Sequence, residues 1–163
     1  MAKFEIKDGV AIIPEGTTEI SNYAFDDCHT LESIVIPESV TEIGYAAFFR
    51  CASLKSITIP ESVAEIGCYA FMGCKELKNI TIPKSVTKIE QNAFKGCTSL
   101  ESIAIPESVR EIDETAFDDC TALTAIYVPP MKTDYYKERL SEELHDKIVE
   151  LAPEKKTKTD KEC

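Results

Sequence analysis

The chain reads LKSITIPESVAEIGCYAFMGCKE over residues 54–76 and LKNITIPKSVTKIEQNAFKGCTS over residues 77–99. Both segments follow the pattern LxxIxIPxSVxxIxxxAFxxCxx, and residues 31–53 and 100–122 repeat it without a gap. Self-similarity at a fixed step of this size is the signature of a repeat architecture, in which each unit stacks on the next. The 23-residue step therefore predicts a solenoid rather than an ordinary globular domain.

The pattern weakens towards both ends of the array. Residues 8–30 keep its proline, phenylalanine and cysteine, but Asp8 replaces the leucine and Ala11 replaces the first isoleucine. Residues 123–130 contain only the first part of a unit. We therefore predict a solenoid domain over residues 1–130, made of five 23-residue units from position 8 and a following half unit.

Each unit contains signals for two extended pieces and one turn. In residues 31–53, β-branched residues before Pro37 predict a short strand, which the proline ends because it removes a backbone donor. Val40 and Ile43 predict a second extended piece that returns across the unit. The apolar residues within positions 47–51 lie at helix-like spacing, which predicts a short helical turn.

A single unit is too small to fold alone. Its six large apolar side chains would contribute roughly 1.5–3 kcal/mol each if buried. Ordering the unit's backbone costs about 1–2 kcal/mol per residue, which is the larger sum. Stacking must supply the difference, and it places equivalent residues about 4.7–4.9 Å apart in a parallel sheet.

The repeated pattern resembles the BspA-like class of leucine-rich repeats over about residues 8–130. This resemblance implies an α/β solenoid, a right-handed coil with a parallel sheet on its concave side and short helical turns. It also implies a non-catalytic protein–protein interaction module, because the family is known chiefly from bacterial surface proteins that take part in adhesion and bind host or partner proteins.

The segment after the repeats has a different periodicity. Its apolar residues recur at helical spacing, which predicts an amphipathic helix over residues 131–152 that begins near Thr133 or Asp134 and ends before Pro153. We expect this helix to cap the open end of the solenoid, although it could instead be offered to a partner protein. The polar residues 153–163 predict a disordered tail. The apolar positions are Tyr136, Leu140, Leu144, Ile148 and Leu151.

The outward side chains of the concave strands are the candidate binding site. They are small and mostly polar, with one large aromatic at the end, so a protein ligand would make a broad contact driven by shape. Alternatively, they are small only because stacked turns crowd them. The candidate residues are Ser33, Val35, Ser56, Thr58, Asn79, Thr81, Ser102, Ala104 and Tyr127.

The cysteines and acidic residues predict neither a metal site nor another cofactor. Cysteines recur at the repeat step and would lie in a line, whereas zinc needs ligands around a point, so we expect them to be small buried residues. Cys68 and Cys163 fall outside this series, and we expect Cys68 at the surface. The stacked column of Glu19, Glu42, Glu65, Lys88 and Glu111 is expected to face water, with the lysine interrupting it.

Catalytic motifs are absent from the sequence, so no enzyme activity is expected. His29 and His145 fall on separate elements without a third partner, and we expect His145 to be solvated. With 18 basic and 29 acidic residues the net charge is −11, which disfavours nucleic acid as a partner. No apolar run approaches the roughly 18 residues that would span a membrane.

The sequence leaves compartment and assembly open. Residues 1–5 contain no basic-then-apolar signal peptide, so either the protein stays in the cytosol or an export signal was removed. In the second case the resemblance implies a cell-surface or secreted location. We expect a monomer or weak self-association, and the alternative function is a self-assembling spacer that uses an open N-terminal turn around Phe4 and Ile6.

Overall fold

The computed structural model describes residues 4–153, and their repeats form a β-solenoid of about six coils, each coil being one 23-residue circuit. The elements are short, as expected from the spacing of proline and turn residues. In chain order the strands are β1 (Ile6–Lys7), β2 (Val10–Ile12), β3 (Glu19–Ile20), β4 (Ser33–Val35), β5 (Glu42–Ile43), β6 (Ser56–Thr58), β7 (Glu65–Ile66), β8 (Asn79–Thr81), β9 (Lys88–Ile89), β10 (Ser102–Ala104), β11 (Glu111–Ile112), β12 (Ala125–Val128) and β13 (Ile148–Glu150). The helical elements are α1 (Thr133–Lys137) and a 3-10 helix (Glu142–Lys147).

Two rows of parallel strands run along the solenoid. The even-numbered strands β2 to β12 contribute one strand per coil, and the odd-numbered strands β3 to β11 form a second five-stranded sheet. Pairing is always between equivalent positions, as in Ile57 opposite Ile80 and Thr58 opposite Thr81. The even row contains two hydrogen-bonded ladders, because β8 and β10 lie side by side without ladder pairing.

A column of stacked phenylalanine rings runs through the interior. Neighbouring ring centroids from Phe4 to Phe117 are 5.2–5.7 Å apart, and the central pair Phe48–Phe71 is inclined by only 2°. The leucine, valine and isoleucine positions of the pattern form further buried columns beside the rings. Each coil therefore buries its apolar side chains mainly against the coils above and below it, which is why one unit could not fold alone.

The predicted helical turn after each odd strand is wrong. In the second coil, residues 31–53, alternate N–H groups bond within the turn and to the next coil: Ala47 donates to the carbonyl of Gly44, whereas Phe48 donates to that of Ala70 at 2.8 Å. Ala46 and Arg50 also have positive φ angles, which a right-handed helix does not allow. Bonding between coils therefore replaces the i to i−4 bonds of a helix.

The prediction of one continuous helix over residues 131–152 is also wrong. Ser141 is extended between α1 and the 3-10 helix, and Ile148–Glu150 forms β13, which pairs in parallel with β12. Without β13, the edge of β12 would leave backbone N–H and C=O groups without hydrogen-bond partners. A strand can pair with these groups, whereas a helix cannot. Tyr136, Leu140 and Leu144 are nevertheless buried in the core, whereas Leu151 is exposed.

The first residues close the other end of the solenoid. β1 turns back and pairs antiparallel with β2, with Ile6 opposite Ala11, and the Phe4 ring stacks on Phe25 at 5.7 Å. Asp8 and Gly9 make this reversal with φ angles of 50° and 79°. The expectation of an open N-terminal turn around Phe4 and Ile6 is therefore wrong, because both side chains pack against the core.

Glu150 joins strand β13 to the start of α1. Its carboxylate accepts a hydrogen bond from Thr133 Oγ1 at 2.6 Å. This bond, and to a smaller extent the backbone of Met131 and Thr133, favour the ionised form and hold the pKa of Glu150 below its usual range.

We expect Glu150→Gln to lower the melting temperature by a few degrees at pH 7. Because the pKa is lowered on folding, the stabilisation is complete above the unfolded value of about 4.3 and is lost as the pH falls through the folded value. The difference from the wild type should therefore shrink in acid. Thermal melts followed by circular dichroism at several pH values would measure it, with Glu142→Gln as the control. An equal difference at all pH values would contradict this role.

Candidate functional site

The outer side chains of the even-numbered strands form a continuous surface, which we call the strand face. In β4, β6, β8 and β10 the middle isoleucine is buried, so its two neighbours point outwards. Val35, Thr58, Thr81 and Ala104 are exposed, whereas Tyr127 is half-buried. The predicted residues Ser33, Val35, Ser56, Thr58, Asn79, Thr81, Ser102, Ala104 and Tyr127 therefore lie together on one surface.

Sequence reasoning missed the N-terminal end of this surface. Ile12 is 69 % exposed and lies opposite Val35, which is 58 % exposed. The two aliphatic side chains form an apolar end to an otherwise small and polar row. The signal was available, because Ile12 precedes Val35 by one repeat step, but the replacement of isoleucine by Ala11 obscured the register.

A row of three tyrosines was also missed. Tyr45 lies between Tyr23 and Tyr69, with ring centroids 5.3 Å from each, and Tyr23 is 52 % exposed. Tyr23 and Tyr69 share one position of the repeat, whereas Tyr45 comes one position earlier in its unit. Reading single columns of the repeat therefore does not reveal the row.

The cysteine column is structural. Cys51, Cys74, Cys97 and Cys120 are buried, which confirms the expectation for these four, while Cys28 in the first coil is half-buried. Each buried thiol donates to the carbonyl of the phenylalanine 26 positions earlier, at 3.0–3.3 Å. Burial raises the pKa of all four thiols, to about 12 for Cys120. Nucleophilic chemistry requires a thiolate, so these thiols are unreactive.

Cys68 and the glutamates of the acidic column differ in their exposure to solvent. Cys68 is half-buried rather than fully at the surface, with its sulfur 3.9 Å from Oε2 of Glu90. Cys163 lies outside the described residues. The glutamates of the acidic column are exposed as expected, and Lys88 pairs with Glu90 at 2.7 Å and with Glu111 at 3.5 Å.

The structure does not bring the two histidines together. His29 is exposed and lies 3.8 Å from a carboxylate oxygen of Asp27. His145 is half-buried rather than solvated, with Nε2 3.0 Å from the carbonyl oxygen of Leu140. Within residues 4–153, no three His, Cys, Asp or Glu side chains are grouped to hold a metal ion. Over the same residues, no helix has the length and apolar character required to cross a bilayer.

Comparison with known proteins agrees with this geometry. Six copies of the BspA type leucine rich repeat region match residues 9–141. A leucine rich cell surface protein from Faecalibacterium prausnitzii is 39 % identical with a TM-score of 0.77, over 83 % of this chain and 36 % of its own. A leucine rich repeat protein from T. pallidum is 35 % identical with a TM-score of 0.70, over 72 % of this chain and 57 % of its own.

A leucine-rich repeat protein from Bacteroides ovatus is 28 % identical with a TM-score of 0.67, over 88 % of this chain and 45 % of its own. The matched region thus spans between about a third and three fifths of these solved structures. No curated protein matches the chain.

Proposed function

Because the chain belongs to the BspA-type leucine-rich repeat family, we propose that it is a non-catalytic module that binds a partner protein through the strand face. Family membership supports an interaction role in general. The choice of the strand face rests on a separate property of the chain, the distribution of charge over its surface.

Charge is absent from the strand face, and this observation carries the proposal. Charged residues make up 29 % of the chain, so three or four of twelve positions would be expected to carry a charge. Depletion of charge distinguishes the core of a protein interface from the remaining surface. The twelve outward positions are Val10, Ile12, Ser33, Val35, Ser56, Thr58, Asn79, Thr81, Ser102, Ala104, Ala125 and Tyr127, and none is charged.

The dimensions of the face indicate how a partner would be held. Six strands at sheet spacing extend about 24 Å, and the face is only two side chains wide. A standard interface buries about 800 Å² per partner, so the contact must extend onto the flanking charges. Along one rim these are the exposed Glu32, Lys55, Lys78 and Glu101, of which Lys55 and Glu32 form an ion pair at 2.7 Å. The rim therefore carries two central positive charges flanked by two negative ones, and it would select a partner with the opposite pattern.

Adhesion at a bacterial cell surface is the setting that fits this module best. The Faecalibacterium relative is described as a leucine rich cell surface protein, and the shared fold and 39 % identity make a similar setting reasonable for this chain. The partner would then be a host protein or a protein of a neighbouring cell. A self-assembling spacer has less support, since Phe4 and Ile6 are packed against the core rather than available to a second copy.

Binding to an array of extracellular-matrix and surface proteins would test the proposal. We expect at least one protein to be bound by the wild type, and Thr58→Arg/Thr81→Arg to weaken that binding at least tenfold by placing bulk and charge on the face. The control is Thr30→Arg/Thr121→Arg, which adds the same side chains at exposed turn positions and should bind like the wild type. Unchanged binding by the first variant would exclude the strand face.

A further inference from the structure

A second surface lies in the turn segments of neighbouring coils, away from the strand face. It is a cleft of about 280 Å³ lined by Arg50, Met72, Gly73, Lys75, Lys95 and Gly96, which we call the basic groove. The floor is apolar because Gly73 and Gly96 occupy a repeat position that holds Asp27, Arg50 and Asp119 in other coils. All five residues at this position have positive φ angles, where glycine is the least strained residue.

The rim of the groove is positive although the chain is strongly acidic. Lys95 lies 3.7 Å from Asp118 and 3.8 Å from Asp119, which also lines the groove, so its charge is compensated. Arg50 and Lys75 have no carboxylate within ion-pair distance among residues 4–153, and the Arg50 guanidinium instead lies 4.9 Å from the centroid of the Phe49 ring. Two uncompensated cations on an apolar cleft complement a ligand that combines negative charge with an apolar group.

We propose that the basic groove binds an acidic segment of a partner protein. One apolar side chain of the segment would lie on the floor against Met72 and the two glycines. Carboxylates on either side would bind Arg50, whose planar guanidinium matches a carboxylate in two-point geometry, and Lys75. Methionine suits such a site because its flexible side chain adapts to different apolar partners.

A peptide suits the groove better than a sulfated glycan. A glycan chain is polar along its whole length and would leave the apolar floor without a partner, and it would rely on dense positive charge. The groove offers only two uncompensated cations. The inference does not depend on the strand-face proposal, because the two surfaces share no residue.

Fluorescence anisotropy at physiological salt would test the inference. The probes are a labelled peptide of alternating acidic and leucine residues, the same peptide with serine in place of leucine, and a labelled heparin fragment. We expect the leucine peptide to bind most tightly. Arg50→Glu/Lys75→Glu should weaken it at least tenfold, since each substitution removes a charge-assisted hydrogen bond and places a like charge beside the carboxylates of the peptide.

The matched control is Lys84→Glu/Lys137→Glu, which makes the same change in net charge at exposed positions that line neither the basic groove nor the strand face. Its affinity for the leucine peptide should be within about twofold of the wild-type affinity, because screening confines electrostatic effects to about 8 Å. Acidic residues at the Arg50 position are compatible with folding, since Asp27 and Asp119 occupy it elsewhere. Equal weakening by both variants, no binding by the wild type, or preference for the serine peptide or heparin would overturn the proposal.

Discussion

The free energy of unfolding should fall steeply as the pH rises above about 8.5. Thiols in an unfolded chain ionise near that value, whereas burial keeps Cys51, Cys74, Cys97 and Cys120 protonated in the solenoid, the last with a pKa of about 12. The unfolded state therefore binds fewer protons than the folded state between these limits, and stability decreases with increasing pH.

The expected slope is large because four thiols act together. Each contributes up to about 1.4 kcal/mol per pH unit, so the sum near pH 10 is roughly 5 kcal/mol per pH unit. Domains of ordinary stability have about 5–15 kcal/mol in total, and the protein should therefore unfold by about pH 11. Urea unfolding in the presence of a reductant, at intervals from pH 7 to pH 10, would measure the slope.

Single substitutions distinguish the contribution of the buried thiols from other effects of high pH on stability. Cys97→Ala should reduce the slope by about a quarter, even though it lowers stability at neutral pH. As a control, Val63→Ala truncates a completely buried side chain without removing a thiol, so it should lower stability and leave the slope unchanged. A slope that Cys97→Ala does not alter would show that the buried thiols do not control alkaline stability.

Phe71→Ala should destabilise the solenoid by about 4 kcal/mol. Its ring is completely buried and stacks between Phe48 and Phe94 at 5.2 and 5.4 Å, so truncation leaves a cavity and removes two aromatic contacts. The loss affects two interfaces between coils, on which the stability of a repeat protein depends. Urea unfolding at pH 7 would measure the difference in the free energy of unfolding.

The end of the same column provides the control. Among residues 4–153, Phe4 stacks on Phe25 alone and is partly buried, so Phe4→Ala should cost about 1–2 kcal/mol. Phe71→Leu keeps most of the side-chain volume, so its loss in the free energy of unfolding should lie between those of Phe71→Ala and Phe4→Ala. Equal losses for Phe71→Ala and Phe4→Ala would mean that the coils are not coupled through the rings.

The interior could be predicted from the sequence because it depends on one repeated choice. Phenylalanine, leucine and cysteine at a fixed step must stack if the units stack, and residues such as Phe48 and Leu54 are completely buried. The turn between them could not be predicted from spacing alone. Helical and alternating turns both place Ala47, Phe48 and Cys51 inwards, and only the hydrogen bonds to the next coil distinguish them.

The C-terminal segment shows how a neighbouring element overrides a periodic pattern. The spacing from Tyr136 to Ile148 is compatible with one helix, and the first three of its apolar residues are buried as that helix would require. The open edge of β12 instead pairs with Ile148–Glu150, because exposed strand edges leave backbone groups unsatisfied. The sequence of the segment contains no signal for this edge, which exists only in the folded solenoid.

The candidate surfaces were predictable to different degrees. The strand face follows from the repeat register, except for Ile12, whose unit is degenerate. The basic groove depends on neighbouring coils that place Arg50 and Gly96, which share one repeat position, beside Met72 from another position. Surfaces built from several columns therefore require the structure.

Photo-crosslinking to a partner identified on the array would test the central claim, that the strand face is the interaction surface, most directly. A benzophenone side chain would replace Thr58 on the strand face or, as a control, Thr121 at an exposed turn. Circular dichroism would verify that both variants fold like the wild type. We predict a covalent product with the partner from position 58 and none from position 121. A product from position 121 alone would contradict the account.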